Sequence, residues 1–303
     1  MGTLMMQILT KPLIIGKSKG LRVALESCRK AAAETDPVLI QGELGTGKFL
    51  LATYLHCESN RHEQPFMLAD CGDANSGIAE LLSQGSIARH WEFLKGGTLY
   101  FNEVASLTLA QQVALYELCL LLQSLDIRVL LGSSQNIHLL MYDKAFDSKL
   151  YHLVSPWEVS LPPLRQRTED LDLLVEYFIK NLNLRLRRSV QGLTPQVAEI
   201  FAAYRWPENI DELQHVLARA IIVANDPFIG QRHLTEYLSQ MGDESRQTPD
   251  IMPLDRMEEI LLRTALNRYG YSLEGKKKAA RALNISLATL YNKVKRYNLN
   301  VFS

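Results

Sequence analysis

The chain has 303 residues, 47% of them hydrophobic and 22% charged, with 33 Lys and Arg against 33 Asp and Glu, an ordinary balance for a globular protein of two or three domains. No apolar run approaches the roughly 18 residues of a membrane span, and residues 1–9 lack both a basic n-region and a small-residue cleavage site, so neither a membrane protein nor a secreted one is expected. The zero net charge hides a split: residues 251–303 hold ten Lys and Arg against four Asp and Glu, a surplus of +6 that leaves −6 on the first 250.

In chain order, residues 37–41 form a short buried strand that ends in a Gly-rich turn, and residues 49–58 continue with helical periodicity. Residues 98–102 are a second strand, residues 109–123 an apolar-rich helix and residues 126–133 a third strand. This alternation, running from Ile14 to about Leu161, predicts an α/β domain with a mostly parallel sheet. From Leu164 to Leu238 the strand signals are gone and several helices are expected. Residues 241–253 (MGDESRQTPDIMP) are polar, carry two prolines and a glycine, and predict a linker. The remainder reads as helix and turn. The expected division is residues 1–162, 163–240, a linker at 241–253, and 254–303.

Directly after the first strand, Gly42, Glu43, Leu44, Gly45, Thr46, Gly47 and Lys48 match GxxxxGK and open a helix, the context in which this motif cradles phosphate. The glycines let backbone N–H groups turn inward, Lys48 adds a point charge and the following helix presents its positive end. Phe49 stands where a Ser or Thr hydroxyl ordinarily holds Mg²⁺. The four cysteines, Cys28, Cys57, Cys71 and Cys119, form no CxxC pair and are expected as reduced, mostly buried thiols of a cytoplasmic protein.

The basic tail points to a polyanion bound by that tail alone. Residues 276–297 read as helix, turn, helix. Paired alanines at 279 and 280 permit a close crossing, Asn284 suits a left-handed turn, and Ser286 is placed as an N-cap. On the second helix Leu290, Val294 and Tyr297 face inward, while Thr289, Asn292, Lys293 and Arg296 face outward, toward base edges or phosphates of double-stranded DNA. Ser286 joins that set at the helix start, and Lys276, Lys277, Lys278 and Arg281 are expected on phosphates. In the preceding residues 254–269, Met257, Ile260, Leu261 and Ala265 share one helical face.

Taken together, the chain resembles the bacterial enhancer-binding proteins, the sigma-54-dependent activators. The resemblance rests on collinear segments: Ile15-Gly16-Lys17-Ser18, residues 42–48, Pro65-Phe66, Gly96-Gly97-Thr98-Leu99-Tyr100-Phe101-Asn102-Glu103, Leu161-Pro162-Pro163-Leu164-Arg165-Gln166-Arg167 and Trp206-Pro207-Glu208-Asn209. It runs from about residue 12 to 238 and resumes at the C-terminal module. It implies a P-loop AAA-type α/β domain with a parallel sheet, a small all-α lid domain and an all-α Fis-type helix-turn-helix domain. It further implies ATP or ADP held at residues 42–49, 102 and 103, with RNA polymerase, DNA and further copies of the chain as partners. Residues 254–269 are expected to help dimerise, and the N-terminal sensor domain of many relatives is expected to be missing.

The departures from that pattern set the functional expectation. The family's second strand ends in Asp-Glu; here it ends in Asn102-Glu103, so Mg²⁺ binding is expected to be weak or absent and no metal ligand set is assigned. Glu103 is the residual catalytic candidate. The γ-phosphate sensor aligns with Ser133-Ser134, the two arginine-finger positions hold Asp147 and Leu153, and the lid arginine is Asp211. Residues 83–90 contain no GAFTGA loop for contacting sigma-54.

The expectation is therefore a DNA-binding regulator, dimeric or larger, independent of sigma-54 and no ATPase beyond weak residual hydrolysis. It resembles a loop-less, VpsR-like subtype that implies cyclic di-GMP as a ligand, for which Arg22, Arg29, Arg61 and Arg89 are candidate contacts as well as ordinary surface arginines. Two alternatives stand beside it: an ATP-hydrolysing sigma-54-dependent activator, and a repressor without nucleotide input.

Overall fold

The computed structural model describes residues 5–7, 10–72, 82, 88–234, 262, 263, 265, 266, 269, 270, 273–283 and 285–297. The chain divides into two compact units, residues 1–238 and 239–303. The predicted linker, Asn284 and the core of the segment searched for GAFTGA lie outside the described residues.

In the first unit β1 (Met5–Gln7), β2 (Val38–Gln41), β3 (Phe66–Asp70), β4 (Thr98–Asn102), β5 (Arg128–Ser133) and β6 (Glu158–Ser160) form one sheet in the order β1-β3-β4-β5-β2-β6. All its pairings are parallel except β1 against β3. A parallel sheet is covered on both faces, so its strands read as unbroken apolar runs, and Val38–Gln41 is buried at every position. Side chains alternate across it. Val38 and Ile40 pack with Leu21 and Cys28 of α1 (Lys19–Ala32) and with Leu51 and Leu55 of α2 (Lys48–Glu58). Leu39 packs on the other side, with Leu115 and Leu122 of α3 (Leu109–Ser124). The start of α3 is fixed by a capping box between Thr108 and Gln111. The short helices α4 (Ile137–Tyr142) and α5 (Ser148–Val154) are capped by Asn136 and Asp147.

The second half of the unit is α6 (Thr168–Leu186), α7 (Pro195–Ala203) and α8 (Asn209–Val223). The sequence pattern predicts helices alone here. Between them β7 (Gly192–Leu193) pairs in parallel with β8 (Phe228–Ile229). Two residues per strand are too few for alternation to show in a sequence.

A buried carboxylate joins this helical half to the segment before α1. Asp170, fully buried, accepts from Ser18 N at 2.8 Å, Ser18 Oγ at 2.7 Å and Arg167 Nε at 2.9 Å, and from the Lys17 amide. Gly16 (φ +144°) makes the approach feasible, since a Cβ there would lie 2.6 Å from Asp170 Oδ2. Burial alone pushes the Asp170 carboxyl up, but the donors from Ser18, Lys17 and Arg167 outweigh it and hold it below its ordinary 3.8. A depressed native value stabilises the fold above the unfolded value, and that contribution is lost as pH falls through the native one. Asp170→Asn, which strands Arg167 beside a neutral amide, is expected to cost about 3–5 kcal/mol in urea unfolding at pH 7. It is also expected to flatten the loss of stability that the parent chain shows below pH 3.8.

In the second unit Leu262, Ala265 and Leu266 form a core with Ala279 and Ala280 of α9 (Leu273–Ala282) and Leu290 and Val294 of α10 (Leu287–Arg296). The sequence face of Met257, Ile260, Leu261 and Ala265 is thus represented only by Ala265, the other three lying outside the described residues. Leu262 and Leu266, which lie outside that sequence face, are the buried partners. Among the described residues no helix is long and apolar enough to cross a membrane.

Candidate functional site

The turn after β2 leads into α2 through glycines with left-handed backbones, Gly45 (φ 72°) and Gly47 (φ 96°). Below them Lys48 is buried, and its ammonium is held by three acceptors: Gly42 O at 2.9 Å, Glu43 O at 3.2 Å and Glu103 Oε1 at 2.9 Å. Glu103 follows β4 in a left-handed conformation (φ 56°), and its second oxygen accepts from Ser134 N at 2.9 Å and Ser134 Oγ at 2.7 Å. Burial pushes the Glu103 carboxyl up; the Lys48 and Ser134 donors outweigh it, so it stays below the ordinary carboxylate value.

This turn floors a cavity of about 660 Å³, within the usual range for a small-molecule site. Its lining combines apolar side chains, Leu13, Ile14 and Ile15 ahead of α1 and Leu174 on α6, with Lys48, Asn102 and Glu103. Of the predicted nucleotide residues, Leu44, Gly45, Thr46, Gly47, Lys48, Phe49, Asn102 and Glu103 line the cavity. Gly42 and Glu43 do not. The Glu43 side chain turns away to a two-pronged pair with Arg165, at 2.6 and 2.5 Å, which with Asn209 holds its pKa down against burial.

Three of the four candidate arginines are not brought here. Arg29 Nε donates to Tyr54 Oη, Arg61 pairs with Asp126, Arg22 is exposed on α1 away from the lining, and the Arg89 side chain lies outside the described part. The arginines that do line the cavity are Arg167, tied to Asp170, and Arg185 at the end of α6. Arg185 follows Leu174, Tyr177, Phe178 and Asn181 along one side of α6, a spacing that becomes informative only once α6 is known to roof the turn.

The altered positions have structural occupations. Asp147 Oδ1 caps α5 through Leu150 N at 2.9 Å, and Leu153 packs against the core beneath α3. Asp211 lines the cavity from the first turn of α8. Ser133 is buried and donates to Gln135 O, so of the Ser133-Ser134 pair only Ser134 reaches Glu103. Among the described residues no group of three or more His, Cys, Asp or Glu is placed to hold a metal ion.

In the second unit Gly275 lets α9 approach the backbone of Tyr269, where a Cβ would lie 2.3 Å from its carbonyl. Lys278 and Arg281 are exposed, Lys277 pairs with Glu274, and Lys276 Nζ lies 5.0 Å over the Tyr291 ring. Ser286 Oγ accepts from Thr289 N at 3.0 Å and contacts Thr289 Oγ1 at 2.7 Å, so both hydroxyls serve the start of α10. Asn292 and Arg296 are exposed, and Lys293 is half-buried. Tyr291, exposed on this same helix, escaped the sequence reading because an aromatic next to a core leucine passes for core.

Comparison with known proteins agrees with this layout. Residues 15–164 match the Sigma-54 interaction domain, residues 165–250 the AAA+ ATPase lid domain, and residues 253–297 the Fis family of bacterial regulatory proteins. The transcriptional regulatory protein ZraR of Escherichia coli (strain K12) is 29% identical over 304 residues, covering 93% of this chain and 68% of its own. The phenol regulator MopR of Acinetobacter guillouiae is 26% identical, covering 94% and 56%. The crystal structure of NtrX from Brucella abortus in complex with ADP superposes with a TM-score of 0.68 at 24% identity, over 96% of this chain and 69% of that one, which speaks for the fold. With a parallel-sheet AAA domain that matches the Sigma-54 interaction domain, its helical lid and a Fis-type helix-turn-helix in one order, the chain is homologous to the sigma-54-dependent transcriptional regulators of the ZraR type.

Proposed function

We propose that the chain is a transcription regulator that binds double-stranded DNA through α9 and α10 and uses its AAA domain as a nucleotide-responsive platform for self-association, not as a motor. The observation that carries this reading is the company kept by the phosphate-binding turn. The turn and Lys48 are in place, while the positions that the family resemblance reserves for cations and metal hold Phe49, Asn102, a helix-capping Asp147, a core Leu153 and Asp211. Loss of an arginine finger alone lowers turnover about 10³–10⁵-fold. The cavity suits a mononucleotide, with apolar side chains to cover a base and the glycine-rich turn with Lys48 to meet phosphates. ATP and ADP fit that layout better than cyclic di-GMP, because Arg22, Arg29 and Arg61 stand elsewhere. Regulation then runs through RNA polymerase without sigma-54 remodelling, as expected for a VpsR-like, loop-less subtype.

Glu103 favours a second reading, an ATP-hydrolysing activator, since its carboxylate remains poised beside Lys48. A phosphate-release assay with and without DNA separates the two. The expected turnover is at least about 10³-fold below that of motor-competent relatives; turnover at their level, abolished by Lys48→Ala, overturns the proposal.

Lys293→Ala is expected to weaken operator binding at every sequence tested and to lower the slope of log affinity against log salt by about 0.9, one phosphate contact. An unchanged slope in a fluorescence-anisotropy titration removes Lys293 from the interface.

A further inference from the structure

The end of β4 is built as a hydrogen-bond donor where a metal centre needs an acceptor. Asn102 lines the cavity, and its amide is oriented from two sides. The Tyr100 hydroxyl donates to Asn102 Oδ1 at 3.0 Å. Asn102 Nδ2 lies 3.5 Å from Oδ1 of Asp70, its register partner on β3. A carboxylate can only accept, so the amide nitrogen faces Asp70 and the oxygen is left to Tyr100. Burial foremost, then the Glu103 and Asp70 carboxylates, push the Tyr100 phenol above its ordinary 10, which keeps it a donor. Gly132 on β5 leaves the space for that hydroxyl, since a Cβ there would come within 2.1 Å of it.

The neighbouring groups do not fit a divalent cation. Phe49 turns its ring toward Phe66 and Tyr100, with centroids 6.1 and 6.2 Å away, and brings no oxygen. Asp70 is not part of the cavity lining and also accepts from Gly72 N at 3.0 Å. Both Glu103 oxygens are engaged by Lys48 and Ser134. A hard cation prefers anionic oxygens; a phosphate oxygen prefers N–H groups. The second hydrogen of Asn102 Nδ2, the N-terminus of α2, Lys48 and Arg185 all favour the anion.

We propose that this cavity binds a nucleoside di- or triphosphate without a divalent cation, with Asn102 Nδ2 donating to a phosphate oxygen in the metal's place and Tyr100 as its positioning residue. The proposal rests on reading the cavity as a nucleotide site. It is tested by calorimetric titration of ATP into the full chain, once in excess Mg²⁺ and once in excess EDTA. The two dissociation constants are expected to agree within about threefold, well under the tenfold that one charge-assisted hydrogen bond is worth. Asn102→Asp is expected to lose about tenfold or more in EDTA, through the lost donor and an added negative charge, with Mg²⁺ restoring it. Tyr100→Phe removes one of the two groups that orient the amide, so affinity is expected to fall more in EDTA than in Mg²⁺; a merely structural loss lowers both alike and removes Tyr100 from the positioning role.

Wild-type binding that requires Mg²⁺ overturns the proposal and leaves the nucleotide site standing. Asn102→Asp binding in EDTA as tightly as wild type also overturns it. No binding of ATP in either buffer overturns both readings.

Discussion

The side chain of Asn209 sits where three segments distant in sequence meet. Its Nδ2 donates to Leu44 O at 2.8 Å, and its Oδ1 accepts from Leu164 N at 2.7 Å, at a fully buried position. A buried amide satisfied on both ends is costly to disrupt, because each broken bond leaves a desolvated group without a partner. Around it the joint tightens: Ile210 N donates to Gly45 O at 2.9 Å, and Glu43 pairs with Arg165. Gly45 is needed for this closeness, since a Cβ there would lie 1.9 Å from Glu208 O. Trp206 and Asn209 adopt left-handed backbones (φ 53° and 54°), a local strain that surrounding packing must hold. The Trp206 indole does so, stacked edge-on against Phe201 and Tyr204 with its N–H on Phe201 O at 2.9 Å. The position of the helical half over the phosphate-binding turn, and therefore the cavity itself, follows from this joint.

Within that frame the cavity's character is set by which groups are already committed. Lys48 and Glu103 neutralise one another, and Ser134 completes the carboxylate. In the proposed nucleotide site an anion would compete with Glu103 for Lys48, and that ion pair ties the loop after β4 to the site. That coupling serves a ligand-responsive platform as well as it serves chemistry. What separates the two is the surrounding charge, and here the neighbours are an aromatic ring, an amide and an aspartate.

The C-terminal unit is held together differently. Among the described residues its core is seven small or medium apolar side chains, and small domains of this kind have little stability to spare. Gly275 and the Ala279-Ala280 pair make the helices meet closely, and Ser286 fixes the start of α10, so the outward residues of α10 are set in orientation by backbone-level contacts. Lys276 over Tyr291 ties the two helices together on the exposed side as well.

The class of fold, the phosphate-binding turn and the helix-turn-helix are legible in the residue string, because each rests on local rules. A parallel strand is a continuous apolar run, a phosphate turn needs glycines at fixed offsets, and a two-helix module shows its inward residues at helical spacing. The residue string also identifies Asn102 and Phe49 as altered. What surrounds those two positions shows only in three dimensions. That Tyr100 and Asp70 orient the Asn102 amide depends on the register of β3 against β4, and that Arg185 rather than Arg22, Arg29 or Arg61 reaches the cavity depends on where α6 lies. That Glu43 leaves the site for Arg165 depends on a contact between residues 122 positions apart. The physical reason is common to all three: hydrogen-bond orientation and charge pairing are decided by neighbours in space, and no periodicity along the chain records them.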